Sequence, residues 1–533
     1  MAALKRPVPY RWGSAGTLVR AGVVLAREGA LANIDPTPFP RSARTLLRLG
    51  RLLERRDLAS GKGSGERLAA AIDRLGPSYV KLGQFLATRP DVVGAVVADD
   101  LGRLQDRMAP FPQEEAVRRV EEALGRPIGE IFAEFGPAVG AASIAQVHRA
   151  AIIEDGIRRE VAVKILRPGV ERRFRHDLRA FYGAAAIAER MLPASRRLKP
   201  LVVVDLLANW VAVEMDLRLE AAALSEMAEN TADDPGFRVP AVHWERTART
   251  VLTLDWIDGI KLNDRAALEA AGLDLPALGR HLIQTFLRHA LRDGFFHADM
   301  HPGNLFVDAT GDIVAVDFGI MGRLDRKERR FLAEILYGFI TRDYRRTAEV
   351  HFEAGYVPPE QSVDEFARAL RAIGEPIHSR TADQISMARL LTQLFEVTEL
   401  FSMQTRPELL LLQKTMVVVE GVARTLDPKL DMWRTADPVV RGWIERHLCP
   451  VGILEEIARG GRELARGLAG APDMLVRGEA VVARLEKVLD SGVPVSSDSL
   501  GFFAEAAARH SFWRTAALWV GAAALVAIAF SVG

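Results

Sequence analysis

Three polar residues just past the middle of the chain have the types and spacing of a metal site beside a reactive carboxylate. Asp299 lies in the sequence FHADMHPGNL, Asn304 follows five positions later, and Asp317 begins a D-F-G tripeptide. Carboxylate and amide oxygens are ligands that Mg²⁺ prefers, usually together with water and substrate phosphates. The pattern therefore predicts Asn304 and Asp317 as metal ligands and Asp299 as the carboxylate that orients an attacking hydroxyl or water.

The same stretch allows a second interpretation. His297, Asp299 and His301 are spaced H-x-D-x-H, and two imidazoles with one carboxylate are the donors of many non-haem iron sites. A lysine upstream favours phosphate chemistry, because Lys164 interrupts the apolar, β-branched run EVAVKIL that predicts a buried strand. A buried charge costs several kcal/mol unless it is paired. We therefore expect Lys164 to contact an anion, either a nucleotide phosphate or a carboxylate.

Lysine is rare in this chain, since sixty of its seventy basic residues are arginine. A lysine in an apolar segment is therefore best explained by its compact point charge and slender stem. Lys81 is a second such residue, in the sequence GPSYVKLGQFLA, whose apolar positions have helical spacing. Gly83 beside it weakens a helix but allows another backbone to approach closely.

Several carboxylates could pair with these lysines. Glu214, Asp216 and Glu220 lie in residues 205–227, a segment whose apolar spacing predicts one long helix. All three would then fall within two helical turns. The spacing does not decide which carboxylate pairs with which lysine.

Two strands are predicted to position the metal residues. The short apolar runs at 305–307 and 313–316 flank the sequence DATGD, which is typical of a β-hairpin. Asn304 precedes the first run and Asp317 follows the second. The hairpin would hold both residues at the same end of its two strands.

In combination, these motifs closely resemble those of the UbiB family, atypical protein-kinase-like proteins that act in ubiquinone biosynthesis and lipid-quinone homeostasis. The resemblance covers about residues 67–343. It implies an α+β fold with the two lobes of a protein kinase and a helical N-terminal extension. Lys81 and Gln84 match the family's K-x-G-Q motif, which the resemblance implies folds over the nucleotide cleft.

The resemblance also implies the roles of individual residues. The sequence GAASIAQVH, beginning at Gly140, is similar to the alanine-rich loop that replaces the usual kinase glycine-rich loop. It implies Glu220 as the partner of Lys164, and the E-x-D acids as partners of Lys81. The implied nucleotide-binding residues are Gly140, Ala141, Ala142, Ser143, Val147, Lys164, Glu220 and Asn304, and the implied regulatory residues are Lys81, Gln84, Glu214 and Asp216. Relatives commonly carry alanine at Gly140 and proline at Met300, and these departures concern loop dynamics rather than the charged groups.

The implied activity is phosphoryl chemistry on ATP with Mg²⁺, or alternatively Mn²⁺, with Lys164 and Asp299 as catalytic residues. Because the extension is implied to block an ordinary protein substrate, ATP hydrolysis in support of ubiquinone biosynthesis is favoured. Implied partners are membrane lipid, polyprenyl quinone intermediates and other ubiquinone-biosynthesis proteins, with a homodimer as one assembly.

Two rival functions belong to different classes. A polyprenylphenol hydroxylase would need iron or flavin, and no strand-borne G-x-G-x-x-G for a flavin dinucleotide occurs in the sequence. A nucleotide-binding scaffold without turnover is disfavoured because the acids and the amide needed for phosphoryl chemistry are present.

Composition limits the class of protein. The 533 residues, 49% of them hydrophobic, are enough for two lobes with further segments. A net charge of +1 gives no general attraction to nucleic acid. Cys449 is the sole cysteine, which excludes an intramolecular disulfide and a cysteine-based zinc cluster and is typical of a reducing cytosol.

Both ends of the chain indicate a membrane. Arginine crowds the first 56 residues, which favours binding to an anionic membrane surface, with a mitochondrial transit peptide as the alternative. Residues 515–533 carry no charge and would form a helix of about 28 Å, close to the thickness of a bilayer core. They predict a transmembrane helix, against the alternative of a buried terminal helix. Arg509 and Arg514 before it predict a cytoplasmic catalytic body at the bacterial inner membrane, with the mitochondrial inner membrane as the alternative.

The predicted organisation follows from these features. Residues 1–65 form a basic arm and linker, 66–130 the helical K-x-G-Q extension, 131–257 the small lobe, 258–448 the helical large lobe, 449–514 a helical C-terminal region and 515–533 the transmembrane anchor.

Overall fold

The structure is a computed structural model that describes residues 15–30, 51–54, 64–87, 108–191, 199–378 and 407–448, with a few shorter pieces between them. The chain divides into one compact unit, Met1–Glu445, and a second, Arg446–Gly533, which lies outside the described residues beyond 448. The helical region predicted at 449–514 and the membrane span predicted at 515–533 therefore lie outside the described residues. Within the described part of the chain, no helix is both long and apolar enough to cross a bilayer.

The described residues form a mixed helix and strand fold. The strands are β1 (Glu134–Ala141), β2 (Ala145–Glu154), β3 (Ile157–Leu166), β4 (Phe237–Arg238), β5 (Val251–Asp255), β6 (Gly259–Lys261), β7 (Phe295–His297), β8 (Leu305–Asp308), β9 (Ile313–Ala315) and β10 (Met321–Arg323). The helices are α1 (Ala15–Arg27), α2 (Ser64–Leu75), α3 (Pro77–Ala87), α4 (Gln113–Leu124), α5 (Ile128–Ile131), α6 (Val170–Met191), α7 (Pro200–Glu214), α8 (Leu217–Asn230), α9 (Arg265–Ala270), α10 (Leu275–Arg288), α11 (Arg326–Thr341), α12 (Tyr344–Glu353), α13 (Val363–His378), α14 (Pro407–Leu426) and α15 (Met432–Leu448).

An antiparallel sheet in the order β1-β2-β3-β5 carries the strand lysine. Successive side chains of a strand point to opposite faces. In β3, Val161, Val163 and Ile165 are fully buried in a cluster with α4 and α5, so Lys164 lies on the opposite face. The strand predicted around Lys164 is therefore confirmed. Lys164 lies on the face of β3 that points away from this apolar cluster.

A second sheet positions the metal residues. β8 and β9 pair antiparallel with Leu305 opposite Ala315, and the sheet order is β4-β9-β8-β6. Gly311, at φ 88°, supplies the left-handed conformation that the turn between them needs. The predicted hairpin is thus confirmed. β7 and β10 form a separate antiparallel pair. In the sequence, β7 precedes the three site residues and β10 follows them.

The predicted single helix over 205–227 is wrong, because it consists of two helices. α7 ends at Glu214, and α8 begins at Leu217 after a break at Met215 and Asp216. The Asp216 side chain accepts a hydrogen bond from the Arg218 backbone N–H and so caps α8. An aspartate in extended conformation at this position accepts a hydrogen bond from an N–H group that has no partner within the helix. The free energy of this local hydrogen bond favours a new helix over continuation of α7.

The N-terminal helices pack on the side of α6 and α7. Residues 15–27, predicted as part of a basic arm, form α1, which packs against α2 and α6. α2 already begins at Ser64, so the predicted linker through Gly65 extends two residues too far. α3 contacts both α6 and α7, and Tyr79 meets Phe181 edge to face at 5.0 Å.

Candidate functional site

Lys164 lies at the centre of a network of charged side chains. Its ammonium contacts both carboxylate oxygens of Glu220 at 2.7 and 3.0 Å, and Oδ1 of Asp317 at 3.0 Å. Glu220 comes from the first turn of α8, and Asp317 comes from the chain after β9. Burial opposes the charge on Lys164, yet Asp317 and Glu220 outweigh it and hold the lysine pKa above its ordinary value. The lysine is therefore charged and shared by two carboxylates.

Asp317 differs from Glu220 in exposure. The Asp317 side chain is 50% exposed, whereas that of Glu220 is 7% exposed. Burial acts to raise the pKa of Asp317, but the charge of Lys164, its hydrogen bond and the charge of Lys81 lower it to about 2. Asp317 also has φ 62°, a left-handed conformation that is unusual for a residue with a side chain. An ionised, accessible carboxylate held in an unfavourable backbone conformation is typical of a functional residue.

The charges around Lys164 do not balance. Burial raises the pKa of Glu220, Lys164 lowers it, and the neighbouring carboxylates of Asp317 and Glu214 raise it again. Two carboxylates thus share one lysine. This surplus of negative charge favours the approach of a cation.

Asp299 and Asn304 lie against each other beside this network. The Asn304 side-chain amide donates to the Asp299 carbonyl oxygen at 3.2 Å and approaches its Oδ2 at 3.4 Å. The preceding residue is also fixed, because Thr415 on α14 donates its hydroxyl to the Ala298 carbonyl at 3.0 Å. Sequence reasoning missed Thr415, which lies 117 residues away and has no motif around it.

The donor set fits a hard divalent cation. Since Asn304 uses its amide nitrogen towards Asp299, its Oδ1 is left as an acceptor. The hydrogen bonds of Asp317 go to Oδ1, from Lys164 and the Gly319 backbone N–H, which leaves Oδ2 available. One amide and one carboxylate oxygen, completed by water and phosphate, are the ligands that Mg²⁺ takes at phosphoryl-transfer sites.

The geometry does not support the iron interpretation of H-x-D-x-H. His297 is buried, its Nδ1 accepts the Asp299 backbone N–H at 3.1 Å, and its Nε2 lies 3.3 Å from the Val316 carbonyl. Burial keeps its pKa below the ordinary value, consistent with a neutral ring that bonds to backbone on both sides. Nδ1 of His301 accepts the Gly303 N–H. Across the described residues, no three His, Cys, Asp or Glu side chains are grouped to hold a metal.

The alanine-rich loop is fixed by neighbours outside it. The Ala141 carbonyl accepts from the Met108 N–H at 3.1 Å, and the Ala142 carbonyl accepts from Arg167 Nε at 2.7 Å. Gln146, which is buried, accepts from the Phe111 N–H at 2.8 Å. These contacts tie the loop to residues 108–111. Arg167 and Gln146 are further positioning residues that the sequence did not single out.

Register places three of the predicted nucleotide-binding residues in one row. Gly140 lies opposite Val147, and Val147 lies opposite Lys164, across β1, β2 and β3. Directly opposed residues of adjacent strands present their side chains on the same face. A Cβ built on Gly140 would meet no atom within 4 Å. The row therefore leaves open space beside Val147 and Lys164, while Ser143 in the loop is fully buried.

The K-x-G-Q motif lies on α3, as its spacing predicts. Lys81 contacts Glu214 at the end of α7, with N–O distances of 3.2 and 2.9 Å, and its ammonium lies 5.5 Å from the Trp210 ring centre. Both side chains are almost fully buried, at 9% and 4% exposed. Gln84 lies one turn further along α3 and is partly buried.

Asp216, the other acid of the E-x-D motif, has a different partner. Its carboxylate contacts the Arg218 guanidinium at 2.9 and 2.7 Å. The hydrogen bond from Arg218 is the main reason that its pKa is lowered. Of the two acids implied as partners of Lys81, the structure places only Glu214 in contact with it.

A lysine in an antiparallel sheet, bound to a helix glutamate and facing an Asp, an Asn and a D-F-G aspartate, defines a protein-kinase-like arrangement. Residues 103–351 match the ABC1 atypical kinase-like domain, and residues 370–431 match the UbiB helical domain. The described part of the latter falls at the end of α13 and on α14.

Curated relatives are similar over most of their length. A protein from Marinobacter nauticus named "Probable protein kinase UbiB" is 40% identical over 415 residues, 77% of this chain and 75% of the relative. Proteins of the same name from Cronobacter sakazakii and Xanthomonas euvesicatoria are 42% identical over 387 residues (72% and 70% of the two chains) and 39% identical over 466 residues (85% and 82%), respectively. A solved structure of Rv3197 with erythromycin from Mycobacterium tuberculosis covers 70% of this chain and 95% of that one, with 25% identity and a TM-score of 0.47. The chain belongs to the UbiB family of atypical kinase-like proteins.

Proposed function

We propose that this protein is an atypical kinase-like ATPase that binds ATP with Mg²⁺ and supports ubiquinone biosynthesis at a membrane. The observation that carries the proposal is the sharing of Lys164 between buried Glu220 and half-exposed Asp317 at 2.7–3.0 Å. The same three side chains hold nucleotide phosphates and metal in protein-kinase-like sites. Membership of the UbiB family supports the biosynthetic role.

Each residue has a distinct task in this proposal. Lys164 exchanges Asp317 for the nucleotide phosphates and keeps Glu220 as its permanent partner. Asn304 and Asp317 hold the metal, which neutralises charge on the phosphates, and Mn²⁺ can replace Mg²⁺ at oxygen ligands of this kind. Asp299, next to Asn304, orients the attacking hydroxyl or water. Gly140, Ala141, Ala142, Ser143 and Val147 border the nucleotide.

The helical K-x-G-Q extension bears on which molecule accepts the phosphoryl group. Lys81 on α3 is buried against Glu214 and helps to lower the pKa of Asp317, so the K-x-G-Q helix lies within electrostatic reach of the catalytic groups. We assign it a regulatory role, together with Gln84, in restricting access by protein substrates. Hydrolysis of ATP coupled to the handling of polyprenyl quinone intermediates is then favoured over phosphorylation of proteins.

The proposal includes a location and partners. The basic N-terminal segment and the uncharged stretch at 515–533 support a single-pass protein of the bacterial inner membrane with a cytoplasmic catalytic body. Other ubiquinone-biosynthesis proteins and membrane lipid are the proposed partners, with a homodimer as a candidate assembly. A net charge of +1 does not favour nucleic acid.

Substitution of the two aspartates tests the chemistry. Asp317→Asn should abolish Mg²⁺-dependent ATP binding, because it removes the charged ligand, whereas Asp299→Asn should leave ATP affinity intact and slow turnover by about 100-fold or more. Asp233→Asn, an exposed acid distant from these motifs in sequence, is the matched control. The measurements are ATP hydrolysis and nucleotide binding on the purified full chain.

Three results would contradict the proposal. Unchanged hydrolysis in both variants would exclude this site as the catalytic one. Stoichiometric iron, or the absorbance of a flavin, in the purified protein would favour the polyprenylphenol hydroxylase. ATP binding without any turnover would favour the nucleotide-binding scaffold.

A further inference from the structure

A cavity of about 910 Å³ lies between α1, the turn that joins α2 to α3, and the beginning of α6. Its lining includes Arg20, Tyr79, Arg172, Arg173, His176 and Asp177. No residue of the Lys164 site lines it. The volume is that of a pocket for a small molecule rather than for a single ion.

The lining is basic. Three arginines and a histidine face one acid, Asp177, which is itself buried and lies 3.3 Å from His176 Nδ1. Arg20 and Arg172 are exposed and make no hydrogen bond or ion pair with another residue in the described part of the chain. Their guanidinium groups therefore have their donors available to a ligand.

The third arginine is built into the wall. Arg173 donates to the Leu75 carbonyl at 3.2 Å, across the turn between α2 and α3. Gly76 in that turn has φ 100°, and a Cβ at this position would overlap the Arg173 guanidinium. The positive φ of this turn favours glycine. The Arg173 hydrogen bond to Leu75 joins this turn to α6 in the cavity wall.

The backbone adds to the positive potential. Pro168 and Gly169 line the cavity and directly precede α6, a helix of 22 residues. The first N–H groups of a helix have no acceptor within the helix, and its dipole favours an anion there. Arg172 lies in this first turn and lines the same cavity as Pro168 and Gly169.

We propose that this cavity is a second anion site, separate from the nucleotide site, that binds a phosphate group through Arg20, Arg172 and the first turn of α6. Guanidinium groups match phosphate geometry with paired hydrogen bonds. The Tyr79 hydroxyl and Leu75 complete a lining that is part polar and part apolar. A phospholipid headgroup and a soluble phosphate compound share this chemistry, and Val19, 66% exposed beside Arg20, is positioned to contact acyl chains in the first case.

Hydrogen exchange on the full chain tests the site without any nucleotide. The protein is placed in phosphatidylcholine vesicles, and two probes are compared: inorganic pyrophosphate, and replacement of part of the lipid by phosphatidylglycerol. We expect slower amide exchange in residues 75–79 and 168–177 with at least one probe. The Arg20→Ala, Arg172→Ala double variant should need about tenfold more probe for the same protection.

A matched double variant controls for net charge. The Arg175→Ala, Arg179→Ala double variant also removes two arginines, both on α6 and outside the cavity lining. It should behave as wild type. Protection by pyrophosphate alone identifies a soluble ligand, and protection by phosphatidylglycerol alone identifies a lipid headgroup. Absence of protection with both probes, protection only elsewhere in the chain, or equal protection in both double variants would overturn the proposal. None of these outcomes depends on ATP binding, so they leave the proposed function untouched.

Discussion

Two lysines in this protein have carboxylate partners but different surroundings. Lys81 and Glu214 form an ion pair with little exposure. Lys164 shares its charge between buried Glu220 and accessible Asp317. A buried ion pair resists rearrangement because removal of one partner leaves a buried charge with less compensation. We therefore assign Lys81 to holding α3 in place and Lys164 to exchange between protein and phosphate.

Substitution of Lys81 tests this assignment. Lys81→Ala removes the cation in contact with buried Glu214 and should lower the free energy of unfolding by about 3–5 kcal/mol, while adding Glu214→Ala should restore part of the loss. If α3 restricts access to the nucleotide, ATP affinity and phosphate incorporation change in the same variants. Urea unfolding, ATP binding and autophosphorylation are the measurements.

Lys327→Ala, which removes an exposed lysine, is the control for Lys81→Ala. Additive effects of the two substitutions on stability would show that the pair contributes no coupling. Unchanged ATP affinity and phosphate incorporation in both variants would limit Lys81 to a structural role.

Gly140 lies where the family resemblance implies alanine. No atom would contact a Cβ there, and the following carbonyls are already held by Met108 and Arg167. Gly140→Ala should therefore be accepted, with stability equal to wild type or up to about 1 kcal/mol higher. Gly322→Ala, whose Cβ would overlap the Phe296 ring, should instead cost about 1–3 kcal/mol.

Thermal unfolding of these two glycine variants and amide exchange of residues 138–146 are the measurements. Faster or slower exchange in Gly140→Ala would show that the glycine, rather than the contacts of Met108 and Arg167, sets the mobility of the loop.

At the scale of elements, the break between α7 and α8 positions the glutamates. Glu214 ends one helix and Glu220 lies in the first turn of the next, so the two acids reach Lys81 and Lys164 separately. Asp216 maintains this break by capping α8. Its role in the structure is therefore to orient two helices rather than to pair with Lys81.

Asp216→Ala should lower the free energy of unfolding by about 1 kcal/mol, the usual cost of losing an N-cap. Asp216→Asn keeps the capping oxygen and should retain most of the stability, because the exposed ion pair with Arg218 contributes little. Urea unfolding of both variants separates the two contributions. Equal losses in both variants would show that the carboxylate charge, and not the cap, is what matters.

At the scale of the whole molecule, membrane attachment is predicted to have two components. Removal of residues 515–533 deletes the uncharged stretch but leaves the arginine-rich N-terminal segment, which anionic lipid attracts at low salt. We expect the shortened protein to remain partly on membranes at low salt and to be released at high salt. Sedimentation of membranes at the two salt concentrations measures this. Complete release at low salt would show that the N-terminal segment contributes no membrane affinity.

The sequence by itself determined the chemistry-bearing residues and the local elements that carry them. The strand around Lys164, the helix of the K-x-G-Q motif and the hairpin between Asn304 and Asp317 were all predictable. Each prediction depends on apolar residues that recur every two residues in a strand or every 3.6 in a helix, or on turn residues within a few positions. These signals involve only neighbouring residues, so they can be read from a single sequence.

Only the tertiary structure decided which groups meet. Lys81 and Glu214 are 133 residues apart, Lys164 and Asp317 are 153 apart, and Thr415 reaches Ala298 across 117. No periodicity extends over such separations. The apolar spacing continues through Asp216 and so predicted one helix, whereas in the structure the Asp216 side chain caps a second helix. Pairing depends on free energies summed over the whole packed molecule, whereas the motifs depend on their immediate neighbours alone.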